Sequence, residues 1–107
     1  MFQFNPHSDG LEILVEVSSF EACTIEEFRS GLGQSCANGA RNVVVDLTRV
    51  EMIDSSAIGA LLSVQKRLTD PTERVTLRGA RPAVLSVIEL LRLHRVFRIE
   101  TAATVAA

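Results

Sequence analysis

Stretches with the pattern of β-strands alternate along this sequence with stretches that have the spacing of amphipathic helices, and the connections between them are short. The order is strand, strand, helix, strand, helix, strand, helix, strand. This alternation predicts an α/β fold in which helices pack against a mostly parallel or mixed sheet. With 107 residues the chain has the size of one domain, so we expect a single domain over 1–107 with a loose tail at about 101–107.

The first part of the chain predicts a hairpin followed by a helix. Phe2–Phe4 is a possible short strand, and the apolar alternation from Leu11 to Val17 predicts a second strand with one apolar face. Thr24–Glu27 has the form of a capping box, which predicts that the helix begins with Thr24 as its N-cap. Gly39 is a plausible end of this helix.

The remaining elements follow from β-branched runs and capping signals. Val43–Val45 is typical of a strand buried on both faces, and Asp54 is a good N-cap for a helix from about Ser55 to Leu68. Pro82 predicts the start of a third helix. The expected apolar stripe of that third helix consists of Leu85, Ile88, Leu90 and Leu91. The expected last two strands are centred on 75–77 and 97–100.

Charge and composition exclude several classes of protein. The 11 basic and 13 acidic residues give a formal net charge of −2, which argues against nucleic acid as the main partner. No apolar run approaches the roughly 20 residues of a membrane span, and the N-terminus lacks the features of a secretory signal. We therefore expect a cytoplasmic protein. Cys23 and Cys36 do not make a disulfide framework.

Motifs for catalysis or for metal binding are missing from the sequence. His7 and His94 have no further ligands at metal-binding spacing, and no glycine-rich phosphate-binding loop occurs. The serines of I-D-S-S-A-I-G lack the preceding glycine of a nucleophile elbow. We expect no enzymatic activity, no metal and no cofactor.

The stretch Asp54-Ser55-Ser56 lies where a predicted strand gives way to a predicted helix. One interpretation is that these residues only cap the helix. The other is an anion or phosphorylation site, which the positive end of a helix dipole favours. The residues alone leave both interpretations open.

The residues from Val43 to Leu62, which read VVVDLTRVEMIDSSAIGALL, resemble the signature of STAS domains, most closely that of bacterial anti-sigma-factor antagonists. Val75–Ala80 and Val87–Phe97 are similar to later parts of the same pattern, so the resemblance covers about Leu11 to Glu100. It implies a curved mixed β-sheet with helices packed mainly on one side.

The resemblance also implies a function and a set of site residues. Antagonists of this family bind an anti-sigma factor that is also a serine kinase, which phosphorylates the first serine after the aspartate and is then released; a phosphatase resets the cycle. By matching residues, Ser55 is the phosphorylation position and Ser56 its neighbour. The chain departs from the family pattern at Ala57, which replaces a glycine, and at Ser18–Glu21, where Glu21 replaces an aspartate.

The expected partner-binding surface combines these residues with the loop and outer face around the second helix. It comprises Glu21, Glu51, Met52, Asp54, Ser55, Ser56 and Ser63. A competing hypothesis is a constitutive STAS scaffold in a regulatory or transporter-associated complex, which would use the same surface without phosphotransfer.

Overall fold

The structure, a computed structural model, describes residues 1–7, 10–34, 41–68, 70 and 72–100. The strands are β1 (Phe2–Pro6), β2 (Gly10–Val15), β3 (Ser19–Phe20), β4 (Asn42–Asp46), β5 (Met52–Ile53), β6 (Thr76–Arg78) and β7 (Arg98–Glu100). The helices are α1 (Ala22–Gln34), α2 (Ser55–Lys66) and α3 (Pro82–Leu90), with a short 3-10 helix at Leu93–Arg95.

Five of the strands form one mixed sheet in the order β1-β2-β4-β6-β7. β1 pairs antiparallel with β2, as the predicted hairpin requires, and the other neighbours are parallel. The register places Phe4 opposite Ile13, Ile13 opposite Val45, and Val45 opposite Leu77, so these apolar residues share one face. The predicted α/β class with a mixed sheet is confirmed.

The core lies between this apolar face and the helices. Ile13, Val45 and Leu77 of the sheet are fully buried together with Phe28 of α1 and Leu61 of α2. Burial of such side chains is the main favourable contribution to folding. The core therefore fixes the helices on that face of the sheet.

The opposite face of the sheet is polar and partly open to solvent. Arg78 lies there between two carboxylates, 2.7 Å from Glu12 and 3.1 Å from Asp46. Val44 shares this face with Asp46 and is only half-buried. The prediction that Val43–Val45 is buried on both faces is therefore wrong, because the residues pack against helices on one face only.

The predicted start of the first helix is also wrong. α1 begins at Ala22, so Thr24 lies within the first turn. The Thr24 hydroxyl oxygen accepts a hydrogen bond from the Glu21 N–H (3.3 Å) and donates to the Glu21 carbonyl (2.9 Å). The N–H of Ala22 is capped from another loop by the Asp54 carboxylate, a partner that local sequence does not reveal. Gly39 lies outside the described residues.

α3 begins at Pro82 as predicted, and half of its predicted apolar stripe is confirmed, since Ile88 is buried and Leu85 packs against the core. The buried residues are Val84 and Ile88, whereas Leu90 and Leu91 are 82% and 52% exposed. The helix ends at Leu90, and the backbone of Arg92 lies in the left-handed region with φ 58°. This turn brings Leu93 into the core, so the two preceding leucines remain outside.

Candidate functional site

Two segments that are distant in sequence lie side by side at one end of the domain. β3 and β5 form a two-stranded parallel sheet in which Ser19 is opposite Met52 and Phe20 is opposite Ile53. The N–H groups of Glu51 and Met52 both donate to the carbonyl of Ser18, at 2.7 and 3.1 Å. The loop before α1 is thereby joined to the loop before α2.

Side-chain alternation decides which residues of this small sheet face solvent. Phe20 is fully buried and its ring packs 5.2 Å from that of Phe28 between centroids, while Ile53 packs against the core. Because successive side chains on a strand point to opposite faces, the neighbouring residues Ser19 and Met52 point outward. Met52 is 61% exposed, so its apolar side chain is available for contact with another molecule.

Asp54 links the first turns of two helices. Its Oδ1 accepts a hydrogen bond from the N–H of Ala57 in α2 (3.0 Å), and its Oδ2 accepts one from the N–H of Ala22 in α1 (3.1 Å). These backbone donors, Ala57 first, lower the pKa of the Asp54 carboxyl below its usual range. The predicted N-cap role of Asp54 for α2 is confirmed, and the second cap was not foreseen.

Ser55 is the first residue of α2 and is exposed beside this cap. Its hydroxyl has no hydrogen-bond partner among the described residues, so the group stays available to solvent. Ser56 follows and is half-buried. The first-turn N–H groups of α2 and its helix dipole point toward this position, which suits an anionic group.

Of the other predicted site residues, Glu51 and Glu21 lie near the joined loops, whereas Ser63 does not. Glu51 is exposed beside Met52, and Glu21 lies half-buried at the start of α1, where its carboxylate accepts a 3.7 Å contact from the Cys23 thiol. Ser63 lies apart, about two turns along α2 from Ser55. Its hydroxyl donates to the carbonyl of Ala60 at 2.6 Å, so part of its bonding capacity is used within the helix.

Sequence reasoning missed the contribution of Ser18, Ser19 and Ala22. These residues supply backbone groups rather than reactive side chains, and a two-residue strand is too short to show a period. The only available signal was that Ser18–Glu21 corresponds to a family loop.

The described residues contain no group of three or more His, Cys, Asp or Glu side chains that could hold a metal ion. Within the same part of the chain, none of the helices has both the length and the apolar character needed to cross a membrane.

Comparison with known proteins finds similarity in sequence and in overall fold. A family model described as "Mlab, STAS domain" matches residues 7–100. A STAS-domain containing protein of Pseudomonas aeruginosa (strain UCBPP-PA14) is 26% identical over 95 residues, which covers 88% of this chain and 93% of that protein.

Solved structures share the fold at low identity. An anti-sigma-factor antagonist (STAS) domain protein from Planctomyces limnophilus has a TM-score of 0.82 at 20% identity, over 98% of this chain and 96% of the other. The anti-sigma factor antagonist SpoIIAA in its unphosphorylated form has a TM-score of 0.75 at 18% identity, over 99% and 93%. The phosphorylated form of Bacillus SpoIIAA has a TM-score of 0.69 at 18% identity, over 99% and 96%.

Proposed function

The chain belongs to the STAS domain family, and from that premise we propose that it is a protein-binding module switched by phosphorylation of Ser55. Unmodified, it binds an anti-sigma factor that is also a serine kinase and so frees a sigma factor. Phosphorylation releases the kinase, and a phosphatase restores the unmodified protein. The domain acts by binding and carries out no catalysis of its own.

The observation that carries this proposal is the exposed, unpartnered hydroxyl of Ser55, which follows three residues after an exposed apolar side chain, that of Met52. Met52 offers a flexible apolar contact, and Glu51 and Ser19 surround it with polar groups. A small surface of mixed character suits a transient, regulated contact better than an obligate one. Solved forms of SpoIIAA with and without phosphate give further support, since they show that a neighbour with this fold is a phosphoprotein.

Phosphorylation would change binding far more than folding. It adds about −1.5 to −2 charges and three acceptor oxygens at the N-terminus of α2. The helix dipole favours this charge, while the ionised carboxylate of Asp54 opposes it, so the two effects on stability largely cancel. At the interface, a contact made over a neutral hydroxyl would have to desolvate a dianion. The expected loss is about 2 kcal/mol or more, or about 30-fold in affinity.

The test is the affinity for the kinase-type anti-sigma factor recovered from the native cell, measured by calorimetry. Wild type and Ser55→Ala should bind, whereas phosphorylated protein and Ser55→Asp should bind at least about 30-fold more weakly. Ser56→Ala is the matched control for switching: it removes the neighbouring hydroxyl, and it should still release the partner when Ser55 is phosphorylated.

Mass spectrometry after incubation with this kinase and ATP should find one phosphate, on Ser55. Equal affinities for all Ser55 states would contradict the switch. They would instead favour the constitutive scaffold in a regulatory or transporter-associated complex.

A further inference from the structure

Basic residues collect at the end of the domain opposite Ser55. β2, β4, β6 and β7 are parallel, and α2 and α3 each return the chain from the carboxyl end of one strand to the amino end of the next. The cations near the amino ends of the strands form what we term the basic end. Its members are Arg41, Lys66, Arg74, Arg92 and Arg95, all exposed.

Hydrogen bonds hold these segments together. The Gln65 side chain, at the end of α2, donates to the Glu73 carbonyl (2.7 Å) and accepts from the Val75 N–H (2.8 Å). The Arg98 N–H, which follows the 3-10 helix, donates to the Val75 carbonyl (2.9 Å). The end of α2, the approach to β6 and the segment after α3 therefore meet at one surface.

Helix dipoles account for part of this arrangement. Lys66 lies in the last turn of α2, and Arg92 follows the C-cap residue of α3; a cation at either place stabilises the negative end of the helix. Helix dipoles do not explain why the apolar side chains of Leu90 and Leu91 are exposed, close in sequence to Arg92 and Arg95. Within the described residues, Lys66, Arg92 and Arg95 form no ion pair. The same segments carry the carboxylates of Asp70, Glu73 and Glu89, so the five cations leave this end with a net positive charge.

We propose that the basic end docks on the surface of an anionic phospholipid membrane, with Leu90 and Leu91 entering the boundary between headgroups and acyl chains. Clustered cations attract anionic lipid, and adjacent exposed leucines add apolar burial, which together give peripheral binding. A second copy joined through the same surface would bring like charges together. Nucleic acid would use the cations and leave the leucines without a contact.

The position of this surface makes it independent of Ser55. α2 separates Ser55 from Lys66 by about 17 Å along its axis. A membrane at the basic end therefore leaves the Ser55 end free for a protein partner. Vesicle binding should be the same with Ser55 unmodified or replaced by Asp, so this proposal can fail while the proposed function holds, and the reverse.

The experiment is co-sedimentation of the full chain with vesicles of equal parts phosphatidylglycerol and phosphatidylcholine, compared with vesicles of phosphatidylcholine alone. Wild type should partition at least tenfold more strongly onto the anionic vesicles, and the difference should shrink as salt is raised. Arg92→Gly combined with Arg95→Gln should lower partition at least fivefold. Arg92→Gly also suits the left-handed backbone at that position, so unfolding is not expected to cause the loss.

Arg49→Gln combined with Arg81→Gln is the matched control, because it also removes two positive charges, here from the opposite end of the domain, where both arginines are exposed. It should change partition less than twofold. Leu90→Ser with Leu91→Ser should weaken binding at moderate salt without removing its lipid-charge dependence. Equal partition onto both vesicle types, or a loss in the Arg49→Gln, Arg81→Gln variant as large as that of the basic-end variant, would overturn the proposal. Binding to poly-glutamate or duplex DNA, without binding to vesicles, would assign the surface to another class of partner and overturn it as well.

Discussion

Replacing Gly79 by alanine should destabilise the domain by about 2 kcal/mol, because two separate features of the fold exclude a side chain there. Gly79 directly follows β6 with φ 71°, and its N–H donates to the Glu100 carbonyl at 2.8 Å. A Cβ at this position would lie 2.5 Å from the Thr48 hydroxyl oxygen. The Thr48 hydroxyl donates a hydrogen bond to the carboxylate of Asp46, so it cannot move away without losing that hydrogen bond.

The magnitude follows from three contributions. The left-handed backbone costs a residue with a Cβ about 1–2 kcal/mol, and moving the Thr48 hydroxyl off Asp46 costs about 1 kcal/mol. Alanine also lowers the conformational entropy of the unfolded chain, which stabilises the folded protein by about 0.4–1 kcal/mol. With an unfolding entropy of about 2.1 cal/mol/K per residue, a net loss of about 2 kcal/mol lowers the melting temperature by about 9 °C.

Thermal unfolding followed by circular dichroism would measure this change, and a double-mutant cycle with Thr48→Ala would divide it. In the Thr48→Ala background, the cost of Gly79→Ala should fall by about 1 kcal/mol, since the blocking hydroxyl is gone. An unchanged cost in that background would refute the contact with Thr48. A cost near zero in both backgrounds would refute the left-handed conformation as well.

Further predictions concern the surface, the core and the polar sheet face. Met52→Lys should weaken partner binding and leave the circular dichroism spectrum and melting temperature unchanged. Loss of the folded spectrum together with loss of binding would show that Met52 is a core residue. Leu61→Ala, at a fully buried position, should lower the free energy of unfolding by about 3 kcal/mol in urea titrations. Hydrogen bonding to Arg78 lowers the pKa of Glu12, and for Asp46 hydrogen bonds from Thr48 and Arg78 outweigh the opposing effect of burial. A lowered folded-state pKa contributes stability that is fully present above the unfolded pKa and is lost as the pH falls through the folded pKa. The free energy of unfolding should therefore decrease when the pH is lowered beyond about 4. Arg78→Met should make this acid dependence shallower; an identical pH profile would contradict the role of Arg78.

The fold class could be predicted because long elements carry a clear period. The alternation around Ile13, the β-branched Val43–Val45 run and the cap at Asp54 each specify an element through neighbouring residues. The misplaced start of α1 has a different cause. Its cap comes from Asp54, 32 positions away along the chain, so the favourable local pattern at Thr24 was misleading.

The side chains of the candidate site were predictable in part, since Asp54 and Met52 could be named from the sequence as well as Ser55. Ser55 could be found from its motif and from the strand-to-helix transition around it. The pairing of Ser19 with Met52 could not, since it depends on backbone hydrogen bonds between two-residue strands. The exposure of Leu90 and Leu91 was hidden for another reason: helical spacing cannot show that the helix stops at Leu90.

Under the proposed function, the double cap by Asp54 would make recognition of Ser55 depend on the completion of folding. The contact with Ala22 and the pairing of β3 with β5 both close loops of more than thirty residues, and contacts across long loops form late because their entropic cost must be met first. A nascent or partly unfolded chain carries the same serine motif without the joined loops around it. A kinase that binds those loops would therefore phosphorylate folded molecules and not incomplete ones, so the phosphorylated fraction would report on folded protein rather than on synthesised chains.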